Sequence, residues 1–141
     1  LDRRGEWLYF GPMAKDSLYR VRVADLRSET LSESERAVRV ERFASKVQTD
    51  GISTDSEGNI YLTDIEHGGL ARISADGSLR TLFHSSRIRW ADGLSFGPDG
   101  YLYIADSNLG ELMMQSRSHM RGQAPYFIYR IALGASAPAG Q

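Results

Sequence analysis

An all-β fold of repeated antiparallel sheets is what this sequence predicts, and three observations carry it. The first is an internal repeat: in a chain of 141 residues, Asp50-Gly51-Ile52-Ser53 returns 42 positions later as Asp92-Gly93-Leu94-Ser95. The same offset lays Gly58-Asn59-Ile60-Tyr61-Leu62-Thr63-Asp64 on Gly100-Tyr101-Leu102-Tyr103-Ile104-Ala105-Asp106. The second is period-two patterning within those segments, with Ile60 and Leu62 on one face and Tyr61 and Thr63 on the other. The third is punctuation by turn residues, above all Asp76-Gly77, the strongest hairpin signal in the chain. A repeat of this length matches one four-stranded β-propeller blade.

The elements follow in order. A fainter copy lies at an offset of 52, placing Leu8-Tyr9-Phe10 on Ile60-Tyr61-Leu62 and Leu18-Tyr19-Arg20-Val21 on Leu70-Ala71-Arg72-Ile73. In the middle repeat, Gly51 to Thr54 reads as the innermost strand and Asp55-Ser56-Glu57-Gly58 as its turn. Asn59 to Thr63 is the second strand, His67-Gly68-Gly69 breaks the chain, Leu70 to Ser74 is the third strand, and Ser78 to Phe83 the outer one. Leu26 to Arg36 is charge-dense and reads as a loop with one helical turn capped by Ser32-Glu33-Ser34-Glu35. Val38 to Phe43 then reads as an exposed outer strand. Phe127 to Ile131 is the third strand of the last repeat.

The expected blades are therefore 1–48, 49–90 and 91–134, with a small-residue tail at 135–141. They hold three, four and three strands. Three blades do not close a ring, and two open edges remain to be covered. The expected remedy is either a fragment of a six-bladed propeller, completed by its remaining blades, or self-association through the open edges. The chain opens at Leu1, which fits an upstream segment outside it, and no signal peptide is read in it.

Composition narrows the function classes. With 17 Lys and Arg against 18 Asp and Glu, the net charge of −1 offers no electrostatic footprint for nucleic acid. Hydrophobic residues at 41% exclude a disordered chain. There is no cysteine, which removes disulfides and thiolate metal sites. No apolar run approaches the roughly 20 residues of a membrane-spanning helix. No nucleophile elbow, phosphate loop or dinucleotide fingerprint occurs, and Ser53 and Ser95 have no neighbouring histidine to act as base.

The ordered set Leu8-Tyr9-Phe10-Gly11-Pro12-Met13, Leu18-Tyr19-Arg20-Val21, Asp50-Gly51, Gly58-Asn59-Ile60-Tyr61, Trp90-Ala91-Asp92-Gly93-Leu94 and Pro125-Tyr126-Phe127-Ile128-Tyr129-Arg130-Ile131 resembles the yellow/major royal jelly protein family, in its bacterial branch. The likeness runs from about Leu8 to Ile131 and corresponds to the C-terminal half of a family member. Ala91 stands where the family usually has Pro. The resemblance implies a six-bladed propeller, secreted or periplasmic, with a small-molecule ligand such as an amine in the central channel. A looser likeness is to the senescence-marker/gluconolactonase group, in which Asn-Gly and Asp-Gly pairs before innermost strands hold a divalent metal. Here both pairs are Asp-Gly, and the glutamate ligand expected from the first blade lies outside the chain.

Strand direction locates the candidate site. In an antiparallel blade, the start of the innermost strand and the link from second to third strand open on one face. That face collects Asp50, Asp92, the segments at Asp64 and Asp106, Asn108 and the long loop Leu109 to Pro125; the opposite face gets only tight turns. Long loops on a rigid scaffold are where function concentrates. Asp50 and Asp92 are candidate ligands for Ca²⁺ or another divalent cation, since oxygen donors without thiols favour hard ions. Trp90 and Asn108 join them as candidate ligand-binding residues. Asp-Gly before a strand is equally a common turn, and Asp64 and Asp106 read as turn caps. His67, His84 and His119 show no metal-binding spacing. Met113, Met114 and Met120 read either as an adaptable lid or as loop packing. The two functional expectations are a non-catalytic small-molecule binder and a metal-dependent lactone hydrolase; no catalytic residue is assigned, and a structural or interaction propeller remains a third.

Overall fold

A computed structural model of the chain describes residues 1–137, so the last four residues of the expected tail lie outside the described residues. The first sheet is built from β1 (Trp7–Phe10), β2 (Ser17–Arg22) and β3 (Glu41–Ser45), with α1 (Val23–Arg27) and α2 (Glu33–Ala37) between the last two. The middle sheet is β4 (Ile52–Thr54), β5 (Ile60–Asp64), β6 (Gly69–Ile73) and β7 (Leu79–His84), each paired antiparallel with the next. The last sheet is β8 (Ala91–Phe96), β9 (Tyr101–Asp106) and, after α3 (Leu109–Leu112) and α4 (Arg117–Gly122), β10 (Phe127–Ala132). The count of three, four and three strands is the expected one.

Burial shows why the middle sheet is the most apolar of the three. Every residue of β5 is buried, because the period-two faces of that strand serve two different interfaces. Ile60 and Leu62 pack with Leu18 and Ala44 of the first sheet, while Tyr61 packs with Phe96 and Leu102 of the last. The Tyr61 and Phe96 rings meet edge to face, with centroids 5.4 Å apart. A third cluster, Ile88, Ala91 and Ile104, closes the inside of the last sheet.

Two stretches differ from expectation, for local reasons. Ser32 and Glu35 do form a capping box, but the helix it starts runs to Ala37. The turn that follows consumes Val38 to Val40, so the outer strand begins at Glu41 rather than Val38, and Val38 is left 83% exposed. α1 adds a second helical turn to the same connection. In the loop Leu109 to Pro125, two short helices replace the irregular chain expected there; Ser116 caps α4 through the His119 N–H.

The tight-turn face is structural. Asp55 is fully buried and accepts hydrogen bonds from the Glu57 and Asn59 N–H groups, the Asn59 side chain and the Tyr61 hydroxyl. Burial first, then the neighbouring Asp55 charge, push the Tyr61 phenol up to about 12. The beginning of the expected tail is docked on this face, where the Ser56 N–H donates to the Ser136 carbonyl at 2.8 Å.

Candidate functional site

The middle and last sheets approach each other most closely where their innermost strands begin. A Cβ placed on Gly51 would lie 2.7 Å from the Asp92 carbonyl oxygen, so only glycine fits between the two strands at this point. Thr63, buried on β5, holds the approach in place. Its hydroxyl accepts from the Gly51 N–H at 2.9 Å and the Asp50 N–H at 3.2 Å, and Thr49 braces it from 3.2 Å. Nothing in the sequence pattern singled out Thr63, because its position in the last repeat is Ala105.

The arrangement brings the two repeated aspartates together. Burial, followed by a hydrogen bond to and repulsion from Asp50, raises the Asp92 carboxyl above its ordinary value. Trp90 completes the group, its indole N–H donating to Asp50 Oδ2 at 2.9 Å. Gly110 of α3 lies against the indole, since a Cβ there would meet the ring at 3.2 Å. Three of the four sequence-derived site residues, Asp50, Asp92 and Trp90, therefore form one cluster.

Asn108 takes a different place. It is 2% exposed, adopts a left-handed backbone conformation at φ 51°, and its side-chain N–H donates to Gln123 Oε1 at 3.1 Å. It ties the long loop down behind Trp90. Met113 and Met114 stand exposed at 58% and 101%, so the described conformation does not pack them as a lid.

Behind the cluster, Asp106 is the anchor. Its Oδ1 accepts from the Trp90 N–H at 2.7 Å and the Arg89 N–H at 3.2 Å, and its Oδ2 from Arg89 Nε at 3.0 Å. The Arg89 guanidinium goes on to donate to the carbonyls of Gln123 and Pro125. Asp106 thus caps the Arg89–Trp90 segment ahead of β8 rather than the link after its own strand, and in doing so fixes the backbone that carries Trp90. Arg89 escaped the sequence reading because the repeat places Val47 there.

Asp64, the counterpart of Asp106, also caps its turn: Oδ1 accepts from the Glu66 and His67 N–H groups. Its Oδ2 faces His67 Nδ1 at 3.1 Å and His84 Nε2 at 3.2 Å. Burial pushes the Asp64 carboxyl up, yet the hydrogen bonds from His67 and His84 outweigh it and hold the carboxyl below its ordinary value. Among the described residues, this is a group of His and carboxylate donors close enough to share a metal ion. A recess of about 190 Å³ lies between β4 and β8, lined by Ile52, Ser53, Thr54, Leu94, Ser95 and Phe96 together with Leu1, Tyr9 and Ala137, and apart from Asp50, Asp92 and Trp90.

The chain matches the family model described as major royal jelly protein over residues 1–86, more than half its length. Solved structures agree on the fold. Regucalcin from Agrobacterium tumefaciens, described as a calcium-binding protein, superposes with a TM-score of 0.62 at 17% identity, over 97% of this chain and 45% of that one. A gluconolactonase from Xanthomonas campestris gives 0.63 at 15% identity, over 95% and 42%. A luciferin-regenerating enzyme gives 0.62 at 14% identity, over 96% and 44%. These likenesses show a β-propeller fold, and the chain spans less than half the length of each structure. No curated protein matches the sequence.

Proposed function

The chain belongs to the major royal jelly protein family, and from that premise we propose that it is the part of a small-molecule-binding propeller that presents a cation-seeking site at the channel mouth. The observation that carries the reading is the convergence of Asp50 and Asp92 beside the Trp90 indole. Two carboxylates held together at a mutual electrostatic cost are relieved by a positive charge, and the indole face adds cation–π attraction for an amine. In this reading further blades complete the channel wall, and the family resemblance supports a location outside the cytoplasm.

The residues also fit a hard divalent cation, because both donors are oxygens and no thiol competes. In that second reading, Asp50 and Asp92 hold Ca²⁺, and the ion supplies Lewis-acid polarisation of a lactone carbonyl. It draws support from the kinship of fold with a gluconolactonase and a calcium-binding protein. Among the described residues no histidine hydrogen-bonds to either carboxylate, and ligand binding is the stronger reading.

Titration calorimetry on the intact protein tests both, with phenethylamine and CaCl₂ as probes. Amine binding weakened at least about tenfold by Asp50→Asn or Asp92→Asn supports the first reading, on the scale expected for loss of a charge-assisted contact. Ca²⁺ binding with the same sensitivity, accompanied by lactone hydrolysis, moves the assignment to the second. Heats identical in wild type and both variants overturn the assignment of this site.

A further inference from the structure

The geometry points to a second metal site, away from the channel, in which Asp64, His67 and His84 bind a zinc-class divalent ion. It is independent of the channel-mouth reading, since none of the three touches Asp50 or Asp92 and the ion class differs. Three strands create it. Asp64 ends β5 opposite Gly69, the first residue of β6, and Gly69 is in turn opposite His84, the last residue of β7. The three positions lie in one line across the sheet.

Two features of the backbone make that line work. A bulge at Leu70/Ala71 pairs Leu70 with Phe83 but Ala71 with Thr81, so β7 gains one residue on its partner. Without it, Phe83 would stand opposite Gly69 and His84 would run past the sheet. Gly69 supplies the passage: a Cβ there would lie 2.7 Å from His84 Cδ2, so any side chain would block the imidazole from crossing to Asp64. His67 arrives from the other side, on the turn that Asp64 Oδ1 caps, and its ring lies 5.3 Å from the His84 ring.

The donor set is divided between anchoring and binding. Asp64 Oδ1 accepts from the backbone N–H groups and also lies 3.2 Å from His67 Nδ1, while Oδ2 faces both imidazoles. Bonds of about 2.0–2.1 Å set neighbouring donor atoms about 2.8–3.0 Å apart on an octahedral ion and about 3.3–3.4 Å apart on a tetrahedral one. The observed 3.1 and 3.2 Å separations lie between the two, within a few tenths of an ångström of either. All three donor atoms lie within 4.8 Å of one another, and the histidines, 57% and 47% exposed, are free to close the remaining gap. The carboxylate is 2% exposed and supplies the fixed point.

Two imidazoles and one carboxylate select Zn²⁺, Co²⁺ or Ni²⁺ over Ca²⁺ and Mg²⁺. On binding, His67 Nδ1 and His84 Nε2 would turn their lone pairs to the ion, each neutral ring carrying its proton on its other nitrogen. Three protein ligands leave at least one coordination position for water. The ion would pin the β5–β6 turn to the end of the outer strand, and its affinity for the folded state would raise thermal stability.

The experiment uses ZnCl₂ and CoCl₂ on the intact protein. We expect one Zn²⁺ to bind with a rise in melting temperature, Co²⁺ to give visible d–d bands, and both to be weakened at least about tenfold in His67→Ala and in His84→Ala, as for loss of a direct ligand. Asp50→Asn should leave Zn²⁺ binding unchanged. A readout that needs no variant is histidine modification by diethyl pyrocarbonate: Zn²⁺ should protect His67 and His84 and leave His119 reactive. Absent Zn²⁺ binding, Zn²⁺ affinity within about twofold of wild type in the double histidine variant, or equal modification of all three histidines with and without the ion, overturns the site.

Discussion

Asp64 and Asp106 are equivalent under the repeat, end the same strand in neighbouring sheets, and yet hold different partners. Both are buried; Asp64 caps the link that follows it, whereas Asp106 caps the segment that leads into β8. Asp106 gives its remaining oxygen to Arg89, whose guanidinium reaches across to the carbonyls of the long loop. Asp64 gives its own to two half-exposed imidazoles. A guanidinium keeps its charge and its planar set of donors, which suits a permanent tether. An imidazole nitrogen exchanges its proton for a metal ion, which suits an exchangeable one. The same acid therefore builds a fixed support for Trp90 in one blade and an open donor set in the next.

The comparison breaks first at Arg89. Its replacement by Ala removes the ionic partner of a buried carboxylate and two carbonyl tethers at once, and should cost about 3 kcal/mol in chemical denaturation. A loss below about 1 kcal/mol would mean that the Arg89 tether is dispensable. Cleavage by a protease within Leu109 to Pro125 should accelerate in the same variant, because the loop loses both of its carbonyl contacts to the guanidinium.

A smaller effect is expected at Asp64→Asn, about 1–2 kcal/mol near neutral pH, from weakened hydrogen bonds to the turn and the two rings. The wild-type carboxyl is held below its ordinary value of 3.8. Its contribution is therefore complete above 3.8 and is lost as the pH falls through the lower folded-state value. Melting curves of wild type and variant should converge over that acid range; a gap that stays constant would show that ionisation of Asp64 does not matter to the turn.

The smallest effect belongs to the metal-free His67→Ala/His84→Ala pair. Both rings are half in water, and solvent replaces their hydrogen bonds to Oδ2, so the double variant should lose under about 1 kcal/mol. A loss as large as that at Arg89 would erase the distinction between a permanent and an exchangeable partner.

Legibility in the sequence followed the range of the interaction. Asp50 and Asp92 were found because a repeat repeats its geometry, so equal positions in adjacent blades fall on neighbouring innermost strands. Trp90 sits next to that repeat and was found with them. Thr63, Arg89 and the pairing of His67 with His84 were not, because each breaks the repeat: Thr63, Arg89 and His67 have Ala105, Val47 and Leu109 as counterparts, and His84 ends an outer strand that the last sheet lacks among the described residues. The spacing from His67 to His84 has no metal-binding signature along the chain and acquires one only when β5, β6 and β7 lie side by side.

The amino-acid order by itself determined the strands, their faces and the tight turns, since alternation and positive-φ glycines act within a few residues. It also determined that neighbouring sheets share one construction. Only the tertiary structure decided which side chains meet. That outcome depends on strand register, and a single-residue bulge at Leu70/Ala71 sets whether His84 reaches Asp64 at all. Register is a property of paired strands, settled by packing on both faces of the middle sheet, and no periodicity within one strand encodes it.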